Sequence, residues 1–396
     1  MAEPKVRFKK DDGNSYPAWE DSFVGDICKI QTGKSNTQDA VEDGEYLFYV
    51  RSPIIYRSNR YLFDKEAVIT VGDGVGTGKV FHYTNGKFDL HQRAYAMTDF
   101  RNMLGKYFYY YFSSHFYRRI VSLSAKTSVD SVRYEAIDKM KIEYPTSFEE
   151  QQKITDFLSS VDSVIATSEQ EVANLETQKK AVMKKIFSQE VRFKRADGSD
   201  FPEWDDDELG SLCEPHARIG WQNLRTDEFL DEGDYYLVTG TDFVDGRVNF
   251  STCHYIDKDR YEMDKNIQIQ NEDILITKDG TLGKVAIVKG MDKPGTLNAG
   301  VFVLQNITNM LDHEYLYQYL AAPFLLKFAR EKSTGGTIQH LNQGVLVQFS
   351  VPIPCLEEQR LIADFLSDFD EAIAAAKKEL ELWKELKKGL LQQMFV

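Results

Sequence analysis

The sequence is poor in the groups that build covalently or metal-stapled folds. Its 396 residues hold four cysteines, Cys28, Cys213, Cys253 and Cys355, far apart and without a Cys-x-x-Cys pair. That spacing gives neither a disulfide framework nor a zinc site, so they read as small buried side chains. The seven histidines (His82, His91, His115, His216, His254, His313, His340) form no His-Glu-x-x-His or similar spacing, and no metal is expected. No apolar run approaches the roughly 18 residues of a membrane span, and the opening MAEPKVRFKKDDG lacks the apolar stretch of a secretory signal. A soluble, cytoplasmic chain is expected. Basic charge is also scarce: the net charge is -14, divided as +2 over residues 1–147, -3 over 148–190, -10 over 191–355 and -3 over 356–396. This excludes a uniformly basic polyanion binder, yet permits local patches, because screening confines charge effects to about 8–10 Å.

What the chain does have is one pattern, twice. From about Glu149 to Phe187, apolar residues recur at steps of four and three: Ile154, Leu158, Val161, Ile165, then Ser168, Val172, Leu175, Lys179, Val182 and Ile186. From about Glu357 to Phe395 the same seam returns 208 residues later as Ile362, Leu366, Phe369, Ile373, Ala376, Leu380, Trp383, Lys387, Leu390 and Met394. A mean step of 3.5 residues is the coiled-coil period. An ordinary amphipathic helix rarely holds that period through five heptads. The two helices are therefore predicted to pack on each other, with Lys179 and Lys387 interrupting the seam at the same point.

The rest of the chain repeats as well. VRFKKDDGNSYPAWEDSFVGDIC from Val6 matches VRFKRADGSDFPEWDDDELGSLC from Val191 at an offset of 185, with Val6, Phe8, Lys9, Asp12, Gly13, Pro17, Trp19, Gly25 and Cys28 all identical in their partners. Each half thus reads as a globular domain followed by a long helix. The offset grows to 208 at the helix, so the second domain carries about 23 extra residues, assigned to loops. Within each domain, AVITVG from Ala67 and DILITKDG from Asp273 read as strands closed by glycine. An aromatic helix follows, GKYFYYYFSSHFYRR from Gly105 and HEYLYQYLAAPFLLKFA from His313. Its tyrosines are of a type that stacks on bases, but at helical spacing they read as core and rim. Each domain then closes with a short strand at Pro145 or Pro354, and Ser147 with Glu150 has the pattern of a capping box.

Catalytic motifs are missing. VGDGVGTGKV from Val71 puts Asp73 and Val80 where a phosphate-binding loop needs glycine and Ser or Thr, so it reads as a hairpin turn carrying a lysine. No nucleophile with a partner stands at the same place in both copies, and there is no Asn-Pro-Pro-Tyr or Asp-Pro-Pro-Tyr tetrapeptide. The chain reads as non-catalytic.

The strand ending in proline, followed by EEQQKITDFLSSVD or EEQRLIADFLSDFD and a heptad helix, resembles the specificity subunit of type I restriction-modification enzymes. The recurring residues are Glu150, Gln151, Ile154, Phe157, Leu158 and Asp162, then Glu358, Gln359, Ile362, Phe365, Leu366 and Asp370. The resemblance implies an α+β fold, an internal tandem repeat with pseudo-two-fold symmetry. Two target-recognition domains (1–147 and 191–355) would be separated by two long antiparallel coiled-coil helices (148–190 and 356–396). It further implies a reader of double-stranded DNA with a bipartite, asymmetric target, one half per domain. Adenine methyltransferase (modification) subunits and restriction (translocase/endonuclease) subunits would be its partners. S-adenosylmethionine, ATP and Mg would belong to those partners, with no cofactor in this chain. A helix of roughly 38 residues is about 57 Å long at 1.5 Å per residue, enough to act as a ruler beside a DNA turn of about 34–36 Å. Direct readout uses Arg or Lys on guanine and Asn or Gln on adenine. The residues of those types in loops are Lys34, Arg57, Lys79, Arg93 and Lys126, then Arg218, Gln222, Arg225, Lys278, Lys284 and Gln339. The helix faces Glu149–Asp162 and Glu357–Asp370 are the expected contacts for modification subunits. A rival reading is a structural adaptor whose coil drives assembly while its domains bind protein, which leaves unexplained why the domains agree at both ends and diverge between.

Overall fold

Residues 4–74, 76–123, 131–220, 224–332 and 340–395 are described in the computed structural model. In chain order the first half runs β1 (Trp19–Phe23), α1 (Val24–Ile27), β2 (Lys29–Thr32), β3 (Tyr46–Tyr49), β4 (Ile55–Ser58), β5 (Phe63–Val71), β6 (Phe81–Leu90), β7 (Ala94–Thr98), α2 (Gly105–Leu123), α3 (Tyr134–Asp138), β8 (Lys141–Pro145) and α4 (Phe148–Phe187). The second runs β9 (Asp205–Glu208), α5 (Leu209–Leu212), β10 (Glu214–Ala217), β11 (Tyr235–Val238), β12 (Phe243–Val244), β13 (Arg247–Val248), β14 (His254–Ile256), α6 (Lys258–Glu262), β15 (Gln268–Ile269), β16 (Ile274–Thr277), β17 (Val285–Ile287), β18 (Gly295–Leu297), β19 (Val301–Gln305), α7 (His313–Ala321), α8 (Pro323–Lys332), α9 (Gln343–Leu346), β20 (Ser350–Ile353) and α10 (Leu356–Met394).

By internal contact the chain divides into two compact units, Met1–Glu169 with Glu379–Val396, and Gln170–Lys378. The boundaries drawn along the sequence at 147/148 and 190/191 follow chain order, whereas the contacts cut through the middle of both long helices. Each unit holds a globular domain, the first part of the helix leaving it, and the last part of the other long helix. The physical reason is the seam, since a one-sided apolar stripe must be covered by a second helix along its length.

In unit 1 a six-stranded sheet has the order β2-β7-β5-β6-β3-β4, antiparallel except where β3 runs parallel to β6. Helix α2 packs on β5 and β6. Its Tyr107, Phe108, Tyr110, Tyr111, Phe112 and Phe116 enter a core shared with Val68 and Met97 of the sheet, Ile154 and Leu158 of α4, and Phe395. The tyrosines are thus mainly core. β1 and β8 form a two-stranded ribbon in which Trp19 lies opposite Pro145.

Unit 2 repeats this scaffold with changes. Its main sheet is β10-β19-β16-β17-β13-β12, and β9 pairs with β20. The counterpart of β6 does not stay whole: it breaks into β17 and β18, with Gly290 at φ 71° and Pro294, which has no N–H for a ladder, between them. β18 joins a second sheet, β14-β11-β18-β15. The place beside β17 that β3 would occupy is filled by β13, also parallel. The extra length of this domain therefore builds strands, not the loops expected for an insertion. The aromatic stretch is also two helices here, broken at Pro323 because proline cannot donate to the preceding turn. Buried Tyr315, Leu316, Leu320 and Leu325 share a core with Ile362 and Leu366 of α10 and with Met183, Ile186 and Phe187 of α4.

The residues identical between halves are the joint between domain and helix. Glu150, fully buried, accepts from Arg7 Nε at 2.7 Å and from the Trp19 indole at 3.2 Å. In the second half Glu358, equally buried, is paired with Arg192 at 2.8 Å and accepts from Trp204 at 2.8 Å. Arg7 also donates to the Pro17 carbonyl, as Arg192 does to Pro202. Gln151 and Gln359 reproduce each other too. Their side-chain oxygens accept from the amides of Leu104 and Asp312, both at 2.8 Å, and their amide groups donate to the carbonyls of Pro145 and Pro354 at 2.8 and 2.7 Å. A proline thus ends each ribbon and hands its carbonyl to the helix that follows. Of the capping box only one arm forms: the Glu150 amide reaches Ser147 Oγ at 3.4 Å, while the Glu150 carboxylate goes to Arg7.

Along α4 and α10 every position of the predicted seam is buried or half-buried, including Lys179 and Lys387. The lysines have partners. In unit 1, Asp162 of α4 receives Lys387 of α10 at 2.6 Å and the Tyr110 hydroxyl of α2 at 2.7 Å. In unit 2, Asp370 of α10 receives Lys179 of α4 at 2.5 Å and the Gln318 amide of α7 at 2.8 Å. Within each unit the two helix segments run antiparallel, and a charged residue inside an apolar seam fixes their register because a slip would strand it.

Candidate nucleic-acid interface

The two domains share a backbone frame at one end of the sheet. In unit 1 the turn after β5 is held by Gly72 N to Arg93 O at 2.8 Å and Val132 N to Gly72 O at 2.7 Å. In unit 2 the same bonds recur as Lys278 N to Gly300 O at 2.8 Å and Leu341 N to Lys278 O at 3.0 Å. Immediately after comes an aspartate in each case, Asp73 and Asp279, followed by a glycine at positive φ, 87° at Gly74 and 72° at Gly280. The stretch is the connection of an antiparallel pair, β5 with β6 and β16 with β17, as the hairpin reading required.

The side chains on this frame differ. Asp73 holds two guanidinium groups, Arg93 at 2.7 Å and Arg51 at 3.1 Å, both exposed. Burial pushes the Asp73 carboxyl up, but its hydrogen bonds and charge contacts with Arg51 and Arg93 outweigh that and keep it below the ordinary carboxylate range. Thr32, Gly72, Asp73, Gln92, Arg93, Tyr95 and Ser131 line an open cavity of about 250 Å³. Asp279 instead holds Lys278 at 2.9 Å and His340 at 2.6 Å, again with its carboxyl lowered against the effect of burial. A fixed anion thus orients basic side chains at the rim, exposed arginines in one unit and half-buried Lys278 with exposed His340 in the other. Such donors suit phosphate oxygens and the acceptor edge of guanine.

Of the residues chosen from sequence, Lys34 and Arg93 come together. Gln92 N bonds Ser35 O at 2.8 Å and Gln92 Nε2 bonds Asn36 Oδ1 at 2.5 Å, so the Lys34 and Arg93 loops lie side by side. Beneath them, buried Asp89 collects Ser35 at 2.6 Å and Arg60 at 3.3 Å. Arg57 is exposed on β4, at the other edge of the sheet from β2, with one nitrogen 3.4 Å from the Glu45 carbonyl. Lys79 is exposed with its ammonium 5.5 Å from the Tyr117 ring centre. Lys278 is at the rim, and Arg225 is exposed in a separate loop. Two choices do not suit a base reader. Arg218 is 3% exposed and its Nε donates to the Leu297 carbonyl at 2.9 Å, so it ties β10 to the strand carrying Leu297. The half-buried Lys284 gives its ammonium to the Phe243 carbonyl, bracing the β12 end of the sheet. Lys126, Gln222 and Gln339 lie outside the described residues. Missed from sequence were Arg51, Arg60 and His340. Arg51 had the available signal: it directly follows the strand-like run YLFYV, as Lys278 follows DILIT.

Cys28, Cys213 and Cys253 are buried, and burial pushes each thiol up to about 12, while Cys355 is half-exposed. Among the described residues no His, Cys, Asp or Glu group is arranged to hold a metal ion, and no helix is long and apolar enough to cross a membrane.

A family model described as "Type I restriction modification DNA specificity domain" matches the chain twice, over residues 17–177 and 202–382. The type I restriction enzyme MjaVIII specificity subunit of Methanocaldococcus jannaschii is 24% identical over 97% of this chain and 94% of its own length. Among solved structures, the type I restriction-modification system S subunit from M. genitalium has a TM-score of 0.61 at 17% identity, covering 100% of this chain and 99% of that one. A chain from a structure on complex assembly and conformational transition of the type I R-M system gives 0.55 at 15% identity, covering 96% and 98%. Both likenesses speak to the fold.

Proposed function

The chain belongs to the type I restriction-modification DNA specificity family, and from that premise we propose that it reads a bipartite, asymmetric DNA site, one half per globular domain. It directs adenine-methylating modification subunits and restriction subunits to that site. The observation that carries this reading is the contrast at the rim. One backbone frame and one aspartate, Asp73 or Asp279, hold different basic side chains in the two units. A shared frame with divergent rim groups is what reading two different half-sites requires. We assign rim contacts to Lys34, Arg51 and Arg93 in the first domain, and to Lys278, His340 and Arg225 in the second. The chain itself carries out no chemistry in this reading. S-adenosylmethionine, ATP and Mg act in the partner subunits, and the assembly works in the cytoplasm. The outer helix faces of Glu149–Asp162 and Glu357–Asp370 remain the proposed seats of the modification subunits. Glu150, Gln151, Glu358 and Gln359 are excepted because they are buried inside the units. The helices, 40 and 39 residues long, are about 60 Å by their rise per residue and serve as the spacer ruler.

The test is a base-resolution map of adenine methylation in cells carrying this chain with a cognate modification subunit, against cells carrying that subunit alone. A two-part asymmetric motif present only with this chain is the expected result. No new methylation while the two proteins remain soluble and associated would overturn the reading in favour of an adaptor.

A further inference from the structure

Four charged positions on the long helices distinguish which helix can pair with which. In unit 1, α4 and α10 are joined by Asp162 with Lys387 at 2.6 Å and by Glu169 with Lys384 at 3.2 Å. In unit 2 they are joined by Lys179 with Asp370 at 2.5 Å and by Glu176 with Lys377 at 2.8 Å. The repeat relates the helices by 208 residues, so position 162 corresponds to 370, 179 to 387, 169 to 377 and 176 to 384. The first pair in each unit is therefore the same pair made twice. The second is not, because α4 supplies a glutamate both times and α10 a lysine both times.

The consequence appears when like helices are aligned in the observed antiparallel register. Two copies of α4 would place Asp162 against Lys179, which attracts, but Glu169 against Glu176, which repels. Two copies of α10 would place Asp370 against Lys387 and Lys377 against Lys384, with the same outcome. The apolar seam occupies the same positions in both helices, although α4 has Val161, Val172 and Leu175 where α10 has Phe369, Leu380 and Trp383, and Lys377 also reaches Asp245 at 2.7 Å. The aromatic seats are alike too: Phe395 packs on Tyr107 and Tyr111 in unit 1 at ring-centre distances of 5.5 and 5.7 Å, and Phe187 packs on Tyr315 and Tyr319 in unit 2 at 6.0 and 5.0 Å.

We propose that Glu169, Glu176, Lys377 and Lys384 make the coil accept the unlike helix of its own chain and reject the like helix of a second copy, so that the chain closes on itself. Each of these pairs is partly exposed, with side chains 32–53% accessible, and alone contributes little. Exchange between two chains, however, converts four attractive contacts into four repulsive ones, and flanking charges of this kind set partner choice in coiled coils.

The experiment uses full-length chains with two different tags, unfolded together and refolded at equal concentration, with tag exchange read by co-purification and mass by light scattering. The variant Glu169→Lys with Lys384→Glu reverses one pair. It keeps the net charge, leaves Lys377 on Glu176 and Asp245, and makes like helices attract as well as unlike ones. The quadruple variant Glu169→Lys, Glu176→Lys, Lys377→Glu, Lys384→Glu reverses both pairs, so like helices repel again. Tag exchange roughly tenfold higher in the first variant than in wild type and the quadruple variant is expected from about four reversed contacts. Equal exchange in all three, or exchange in the quadruple variant matching the first, overturns the proposal. Should the first variant fold poorly, Glu176→Lys with Lys377→Glu puts the same question.

Discussion

The two units agree where the domain meets its helix and differ where the sheet ends in a rim. At the joint, an arginine, a tryptophan, a glutamate and a glutamine are superimposable in role, down to hydrogen bonds of 2.8 Å from equivalent amides. At the rim, Arg51 and Arg93 in one unit give way to Lys278 and His340 in the other. The core follows a middle course. Unit 1 keeps β6 as one ten-residue strand, while unit 2 breaks the equivalent strand and adds a sheet. The lesson is that buried charge tolerates little change, because each member leaves the other stranded, whereas exposed charge on a fixed frame can be exchanged at small cost in stability.

That contrast can be tested at its strongest point first. Glu150→Ala and Glu358→Ala each strand a partly buried arginine and an indole N–H, buried at Trp19 and half-buried at Trp204, and each is expected to cost about 3–5 kcal/mol in denaturant unfolding. Costs differing by more than about 1 kcal/mol would mean that the two joints are alike in geometry but not in energy. A smaller effect separates the cores. Asp273 occupies the position of buried Ala67 in unit 1, and burial raises its carboxyl to about 6. Its folded-state value lies above the unfolded one, so the unfolded chain ionises first and stability falls as pH rises from about 4 to 6. Asp273→Asn should therefore stabilise unit 2 by about 2 kcal/mol at pH 7 and by nothing below about pH 4, as read from melting curves across that range. A gain at pH 3.5 as large as at pH 7 would show that packing, not ionisation, was responsible. The smallest expected change in stability, within about 0.5 kcal/mol, belongs to Arg93→Ala. Its effect should be on the methylation motif, confined to the half read by the first domain. Alteration of both halves would sink the division of labour between rims.

Much of this architecture was legible in the sequence because repeats expose constraint without an alignment. The seam, its lysine interruption and the glycine-closed hairpins all follow from periodicity and turn chemistry. The joint was legible in part: Glu150 and Gln151 stood out, but pairing them with Arg7 and Trp19, more than a hundred residues away, needs three dimensions. Arg218 was misread because a basic residue in a loop-like stretch carries no mark of burial. Only the pairing of β10 with β19, on the strand arrangement that brings Leu297 near, encloses it. The break at Pro323 was visible as a proline and was passed over in favour of matching the first half. The rebuilt edge of the second sheet was not visible, since two-residue strands such as β12, β13 and β15 carry no periodicity.

One bond gives the fold an uncommon mechanical character. The Val6 amide meets the Gln393 carbonyl at 3.0 Å in unit 1, and the Val191 amide meets the Lys185 carbonyl at 3.2 Å in unit 2. The two junctions are counterparts under the repeat, but the backbone runs through one and only hydrogen bonds and packing close the other. Unit 1 is thus closed by a clasp that the backbone does not cross. A force pulling Val6 away from Gln393 loads that clasp directly, so the first event under such tension is the release of the Val6 segment from α10, whereas the counterpart in unit 2 is backed by the covalent chain between Lys185 and Val191.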